Sequence, residues 1–303
     1  MLYILLCLST LTGTGKAIFG KYTGIAARDP RRTAILNFQA FLLSFVVLLG
    51  VANAKLAGLA GLSSFSWSLS VVFAFCIAAT QIFQVKALRE GNTAVVQLLY
   101  ACGFLIPVVY SAFRFHEPVS LWQGFGVLLL LPALYLIVLK GPPPPSRTPN
   151  RHRFRPWLFA VAATVGSGFV GIVQKTHQRS DHADELLLFL VCAFFFCVLF
   201  SGIAALLAKP EPRAGDPRTS DGNPSRHSFL APVGLGLCVG FLNYLNLYLS
   251  GRLSAVILFP VYNVGNLLLT FFLAGILFRE RTLRAQKIGF VLGLAAILII
   301  GML

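Results

Sequence analysis

The feature that most constrains this chain is a recurring apolar run. Stretches of about 17 to 24 residues, parted by short polar breaks, recur about ten times along its 303 positions. At ~1.5 Å of rise per residue, each run makes a helix that spans ~30 Å of hydrocarbon. The predicted spans are Leu2 to Lys21, Thr33 to Leu56, Trp67 to Val85, Thr93 to Phe113 and Leu121 to Leu139, then Trp157 to Lys175, Leu186 to Leu207, Phe229 to Ser250, Ala255 to Phe278 and Leu283 to Leu303. Composition agrees: 57% of residues are hydrophobic and 12% charged, about half the charge a water-facing surface needs. The first span lacks a basic leader, and its Gly13-Thr14-Gly15-Lys16 stretch has an echo further along, so it reads as a retained helix rather than a cleaved signal.

A net charge of +15 would suggest nucleic acid in a soluble protein, but here the basic residues sit between spans. The odd-numbered connections carry 19 of the 25 Lys and Arg and the even-numbered ones 5, which places both termini outside and excludes nucleic acid as the reason for the charge. All six cysteines (Cys7, Cys76, Cys102, Cys192, Cys197 and Cys238) fall inside spans, where they read as buried thiols. No metal or other cofactor is expected. Absence of a nucleotide-binding motif argues against direct ATP coupling.

Gly141 to Pro145 and the basic stretch after it form an extended linker near the chain's midpoint. The expected organisation is a five-helix repeat over residues 1–140, a Pro/Arg-rich linker over 141–156 and a second repeat over 157–303. Self-similarity supports the division. A shift of 163 places Phe115-His116-Glu117, Gln123 and Gly126 on Phe278-Arg279-Glu280, Gln286 and Gly289. Near the start of each half, Gly13-Thr14-Gly15 matches Gly166-Ser167-Gly168 at a shift of 153. Five spans is an odd number, so the copies enter the membrane from opposite sides. The expected fold is therefore all-α, ten transmembrane helices as two inverted repeats, the architecture of alternating-access carriers.

These residues resemble the drug/metabolite transporter superfamily, specifically proteins with two EamA-type repeats. The likeness lies in the ten-span layout, in the repeat ends Phe115-His116-Glu117-Pro118 to Gly126 and Phe278-Arg279-Glu280-Arg281 to Gly289, and in Ser254-Ala255-Val256. It implies a carrier with a central cavity between the halves, often an exporter of metabolites, amino acids or drugs. It also implies both termini in the cytoplasm, opposite to the charge count.

Polar side chains inside spans must find a partner or face water, so they are the candidates for a lumen. Gln81 and Gln84 in span three share a helix face, as do Asn243 and Asn246 in span eight, and a shift of 162 superposes the pairs. Gln97 and Tyr100 in span four and Asn263 and Asn266 in span nine add to this, with Tyr100 on Asn263 at the 163 shift. The alternative is that such amides glue helices together. Of the prolines inside spans, Pro107, Pro132 and Pro260, the last is expected to break its helix at a substrate-facing segment beside Tyr262 and Asn263. The substrate-binding candidates are thus Lys16, Gln81, Gln84, Gln97, Tyr100, Asn243, Asn246, Tyr262 and Asn263, with Pro260 as hinge.

Lys16 is read as the basic residue well inside a span, about five residues from its end, where it either snorkels to the surface or faces the cavity and favours an anionic or zwitterionic solute. Every acid falls in a loop or at a span edge. The small multidrug members of the superfamily carry an acid in their first helix where this chain offers Lys16, which disfavours cation/proton antiport. Glu117 and Glu280 sit in tight turns beside Arg114, Arg279 and Arg281 and are expected to serve helix-end ion pairing. None of the five histidines falls in a predicted span, which argues against an intramembrane enzyme. The expected function is a carrier of a small neutral, zwitterionic or anionic metabolite, an exporter or exchanger in a bacterial inner membrane, with a lipid flippase or another kind of polytopic membrane protein as the alternative. Oligomeric state leaves no mark in the sequence.

Overall fold

A computed structural model describes residues 1–26, 30–53, 58–59, 61–90, 99–138, 155–208, 226–277 and 284–302. Among them the chain is all-helical. Ten helices follow in order: α1 (Leu2–Ala26), α2 (Pro30–Val51), α3 (Ser64–Glu90), α4 (Leu105–Arg114), α5 (Leu121–Val138), α6 (Arg155–Gln178), α7 (Leu186–Leu207), α8 (Arg226–Ser250), α9 (Ala255–Leu277) and α10 (Arg284–Met302). Each overlaps one predicted span. Among the described residues six are long and apolar enough to cross a membrane, namely α1, α2, α3, α6, α7 and α8, while α4, α5, α9 and α10 hold shorter apolar segments. Large apolar side chains such as Ile4, Phe75, Leu128, Leu206 and Val291 face outward, which fits lipid as solvent. Most of the linker expected over 141–156 and most of the polar loop before α8 lie outside the described residues.

Helix pairing follows a pattern. The helix α1 packs on α8 and α9, and α6 packs on α3 and α4; α2 packs on α7 and α8, and α7 on α2 and α3; α5 packs on α10 and α4 on α9. Replacing each helix by the one five places along returns these same pairs, whereas the contact of α9 with α10 has no matching α4–α5 contact among the described residues. Directions follow from the residues in contact. Ser9 bonds Asn246, Gly15 abuts Cys238 and Phe19 abuts Gly234, so α1 and α8 are antiparallel. Ser66 lies by His177, Thr80 by Gly166 and Phe83 by Phe159, so α3 and α6 are antiparallel too.

Burying apolar surface does little to join helices in lipid, so close approach and interhelical hydrogen bonds carry the packing. A Cβ at Gly126 would stand 2.6 Å from Ile300 Cγ1, so α5 lies directly on α10 as the repeat-end glycine was expected to allow. Ser44 Oγ on α2 donates to the Gly236 carbonyl on α8 at 2.7 Å.

Two expectations about helix ends and breaks are corrected. First, α9 runs unbroken through Pro260, and the discontinuity lies in the other half, where 99–102 are helical, 103–104 form a turn and α4 starts at Leu105. Pro107 explains it: its ring displaces the carbonyl four residues back, Gly103, which accepts instead from Ile106 N–H at 3.3 Å. Pro260 is the sixth residue of α9, and the helix continues through it. Second, α6 extends to Gln178, so His177, expected outside the spans, lies fully buried in a candidate membrane helix with its ring 4.1 Å from that of Phe189.

Candidate functional site

A cavity of about 70 Å³ lies among α1, α2, α3, α4, α6, α8 and α9, several times the ~10–15 Å³ that one water needs. Its polar wall comes from both parts of the chain. Thr80 and Gln81 of α3, Tyr100 of the short helical segment 99–102 and Lys16 of α1 face Ser167 and Gln174 of α6, Asn243 and Asn246 of α8, and Tyr262 and Asn263 of α9. Phe41, Ile77, Phe104, Leu242 and Phe259 supply apolar surface between them.

Helix geometry places these groups. Ser167, Gly171 and Gln174 recur at three- and four-residue steps, one face of α6. Close approach of α6 depends on Gly168, where a Cβ would meet Ile106 at 2.5 Å, and on Gly171, where it would meet Pro107 at 2.9 Å. On α1, Gly13 brings the backbone against Tyr262 and Asn266.

Most of the amides are held by the protein. Asn243 Nδ2 donates to the Val239 carbonyl at 2.8 Å and Asn263 Nδ2 to the Phe259 carbonyl at 2.9 Å, each one turn back along its own helix. Gln174 Nε2 donates to Asn243 Oδ1 at 3.4 Å, and Ser9 Oγ donates to Asn246 Oδ1. Thr80 Oγ1 is buried with no hydrogen-bond partner among the described residues.

Of the nine candidate residues, Lys16, Gln81, Tyr100, Asn243, Asn246, Tyr262 and Asn263 line this one cavity. Gln84, three residues further along α3, does not line it. Gln97 lies outside the described residues. Pro260 is buried in α9 and is not part of the wall. Sequence reasoning missed Gln174, Ser167 and Thr80. The 167/171/174 spacing in α6 was the available signal.

Beside the cavity lies a buried charge cluster. Lys175, the residue after Gln174, is wholly buried with its Nζ 2.6 Å from Glu117 Oε1 and 2.7 Å from the Leu253 carbonyl. Arg179 reaches the same carboxylate oxygen at 2.8 Å, and Glu117 Oε2 accepts the Ala255 N–H at 2.8 Å, capping α9. The pairing expected of Glu117 is therefore real, but its partners are Lys175 and Arg179. Arg114 lies over the Phe115 ring instead, and Arg279, Glu280 and Arg281 fall outside the described residues. Burial works to raise the Glu117 pKa, and the hydrogen bonds from Lys175, the Ala255 N–H and Arg179 outweigh it and hold the carboxyl below its usual value. His116, just before it, takes a left-handed backbone with φ 50°, which ends α4 and turns Glu117 inward. An open cleft of about 610 Å³, with Pro118, Gln123 and Arg252 in its wall, approaches the cluster from outside.

No family model matches the chain. A protein of Haemophilus influenzae described as uncharacterized is 22% identical over 201 residues, which is 64% of this chain and 62% of that protein, so the match spans under two thirds of the relative's length. A solved crystal structure, described simply as that of a protein, superposes with a TM-score of 0.72 at 18% identity, covering 99% of this chain and 96% of the other. At that identity the likeness speaks for the fold, and it extends over nearly the whole chain.

Proposed function

We propose that the chain is an alternating-access carrier of a small neutral, zwitterionic or anionic metabolite, built as ten membrane spans in two inverted five-helix repeats. The observation that carries the reading is the polar cavity, walled by α1, α3 and α4 on one side and α6, α8 and α9 on the other. Inversion is supported by helix direction. The Glu117 cluster gathers the end of α4, the end of α6 and the start of α9. The antiparallel contacts put the starts of α1 and α3 and the end of α8 at that same end. Helices five places apart, α1 and α6, α3 and α8, α4 and α9, therefore run oppositely, as inverted repeats require. The resemblance to the drug/metabolite transporter superfamily points the same way.

The Glu117 cluster lies beside the cavity, at the end of the bundle where α1 and α3 start. On the Lys/Arg count that end faces outside in a bacterial inner membrane, with the termini on the same side. A flippase needs a larger, laterally open cavity, and about 70 Å³ favours a small solute. Exchange or facilitated diffusion fits a wall without a carboxylate among the described residues.

Counterflow in proteoliposomes tests the proposal, with amino acids, nucleobases and organic anions as labelled solutes. The carrier reading expects saturable entry that unlabelled solute inside accelerates. Entry that neither saturates nor responds to internal solute would replace it with a channel.

A further inference from the structure

We propose that the cavity reads a negative charge and that Lys16 is the residue that reads it, so that the solute carried is a small organic anion. The inference rests on the carrier reading and narrows it.

The argument is a contrast between two lysines. Lys175 is wholly buried, and the fold answers its charge with the Glu117 carboxylate and the Leu253 carbonyl. Lys16 is half-buried in the cavity wall and has no hydrogen bond or ion pair among the described residues. An ammonium withdrawn toward a membrane interior needs a counter-charge or water. The candidate membrane segment of α1 ends at Gly20, four residues and ~6 Å beyond Lys16, so the lysine lies toward that end of the span, and its side chain lines the cavity.

Nothing else in the wall neutralises it. No carboxylate lines the cavity among the described residues, and the one buried among them, Glu117, already serves Lys175, Arg179 and the Ala255 N–H. The oxygens of Asn243 and Asn246 are taken up by Gln174 and Ser9. A second polar group in the same wall, the buried Thr80 hydroxyl, also lacks a protein partner among the described residues. An ammonium and a hydroxyl, both left without partners around one cavity, form a donor set for an anionic oxygen.

The test needs no knowledge of the natural solute. In the full chain with its six cysteines replaced, Thr80→Cys and, separately, Ser167→Cys report on the cavity through reaction with two methanethiosulfonates of one shape, an ethylsulfonate and an ethylammonium. Each rate is divided by that of the same reagent with a free thiol. With Lys16 present the sulfonate is favoured about tenfold; Lys16→Arg keeps the preference and Lys16→Gln abolishes it. An unchanged ratio in Lys16→Gln, or a preference for the ammonium in the parent, overturns the anion inference and leaves the carrier reading standing. Reaction at neither cysteine means that no solute reaches the cavity, and both readings fall.

Discussion

Lys175 Nζ lies 2.6 Å from Glu117 Oε1, joining α6 to the turn between α4 and α5 with the lysine wholly buried. Removing one partner of a buried pair strands the other charge, which costs about 3–5 kcal/mol, whereas replacing both by apolar groups costs far less. Glu117→Ala is therefore expected to lower stability by about that much, and adding Lys175→Met to restore most of it. Unfolding in detergent micelles across this double-mutant cycle measures both. A double variant no more stable than Glu117→Ala alone would show that Lys175 does not depend on the carboxylate.

The same carboxylate makes stability depend on pH. Its folded pKa lies below the ordinary 4.5, so its contribution is complete above that value and is lost as pH falls through the lower folded pKa. The stability difference between the parent and Glu117→Gln should stay flat from about pH 5.5 to 8 and shrink below about 4.5. A difference that grows on acidification has the wrong sign for a paired carboxylate.

Helix number, order and approximate ends were legible because apolar length alone sets them, and seven of nine wall candidates were found because polar groups in hydrocarbon have few other places to go. What escaped the sequence depends on a third dimension. Lys175 and His177 looked like the polar fringe of span six, and only packing reveals that α6 extends past the fringe into Glu117 and Phe189. The helix break was assigned to Pro260, which α9 runs through, whereas it lies just before Pro107, where the Gly103 carbonyl accepts from Ile106 N–H instead. Glu117 was matched with arginines near it in sequence, whereas its partners come from 58 and 62 positions away, at the end of α6.

Gly126 and Gly124 in α5 provide a paired test of helix packing. A Cβ at Gly126 would stand 2.6 Å from Ile300 Cγ1 and 3.2 Å from the Ala296 carbonyl, while one at Gly124 would meet nothing within 4 Å. Forcing α5 and α10 apart costs about 1–3 kcal/mol, so Gly126→Ala should lower the unfolding temperature. Gly124→Ala should leave it unchanged or raise it slightly, by about the helix preference of alanine over glycine. Equal losses at the two positions would mean that the α5–α10 contact is not the cause.

Gln81 and Gln84 are chemically identical, three residues apart on α3, and the cavity wall includes only the first. Both carry the same cost as amides in a membrane helix, so a role limited to holding helices together gives no reason for them to differ in transport. A solute that bonds the Gln81 amide loses about 1–1.5 kcal/mol of interaction in Gln81→Ala, roughly a tenfold loss in exchange at low solute concentration. Gln84→Ala should stay within about twofold of the parent. Initial counterflow rates in proteoliposomes, normalised to the amount of folded protein, measure the comparison. Equal defects at both positions would move the amides of α3 from solute contact to helix packing and leave Lys16, Tyr100 and the α8 and α9 amides to form the site.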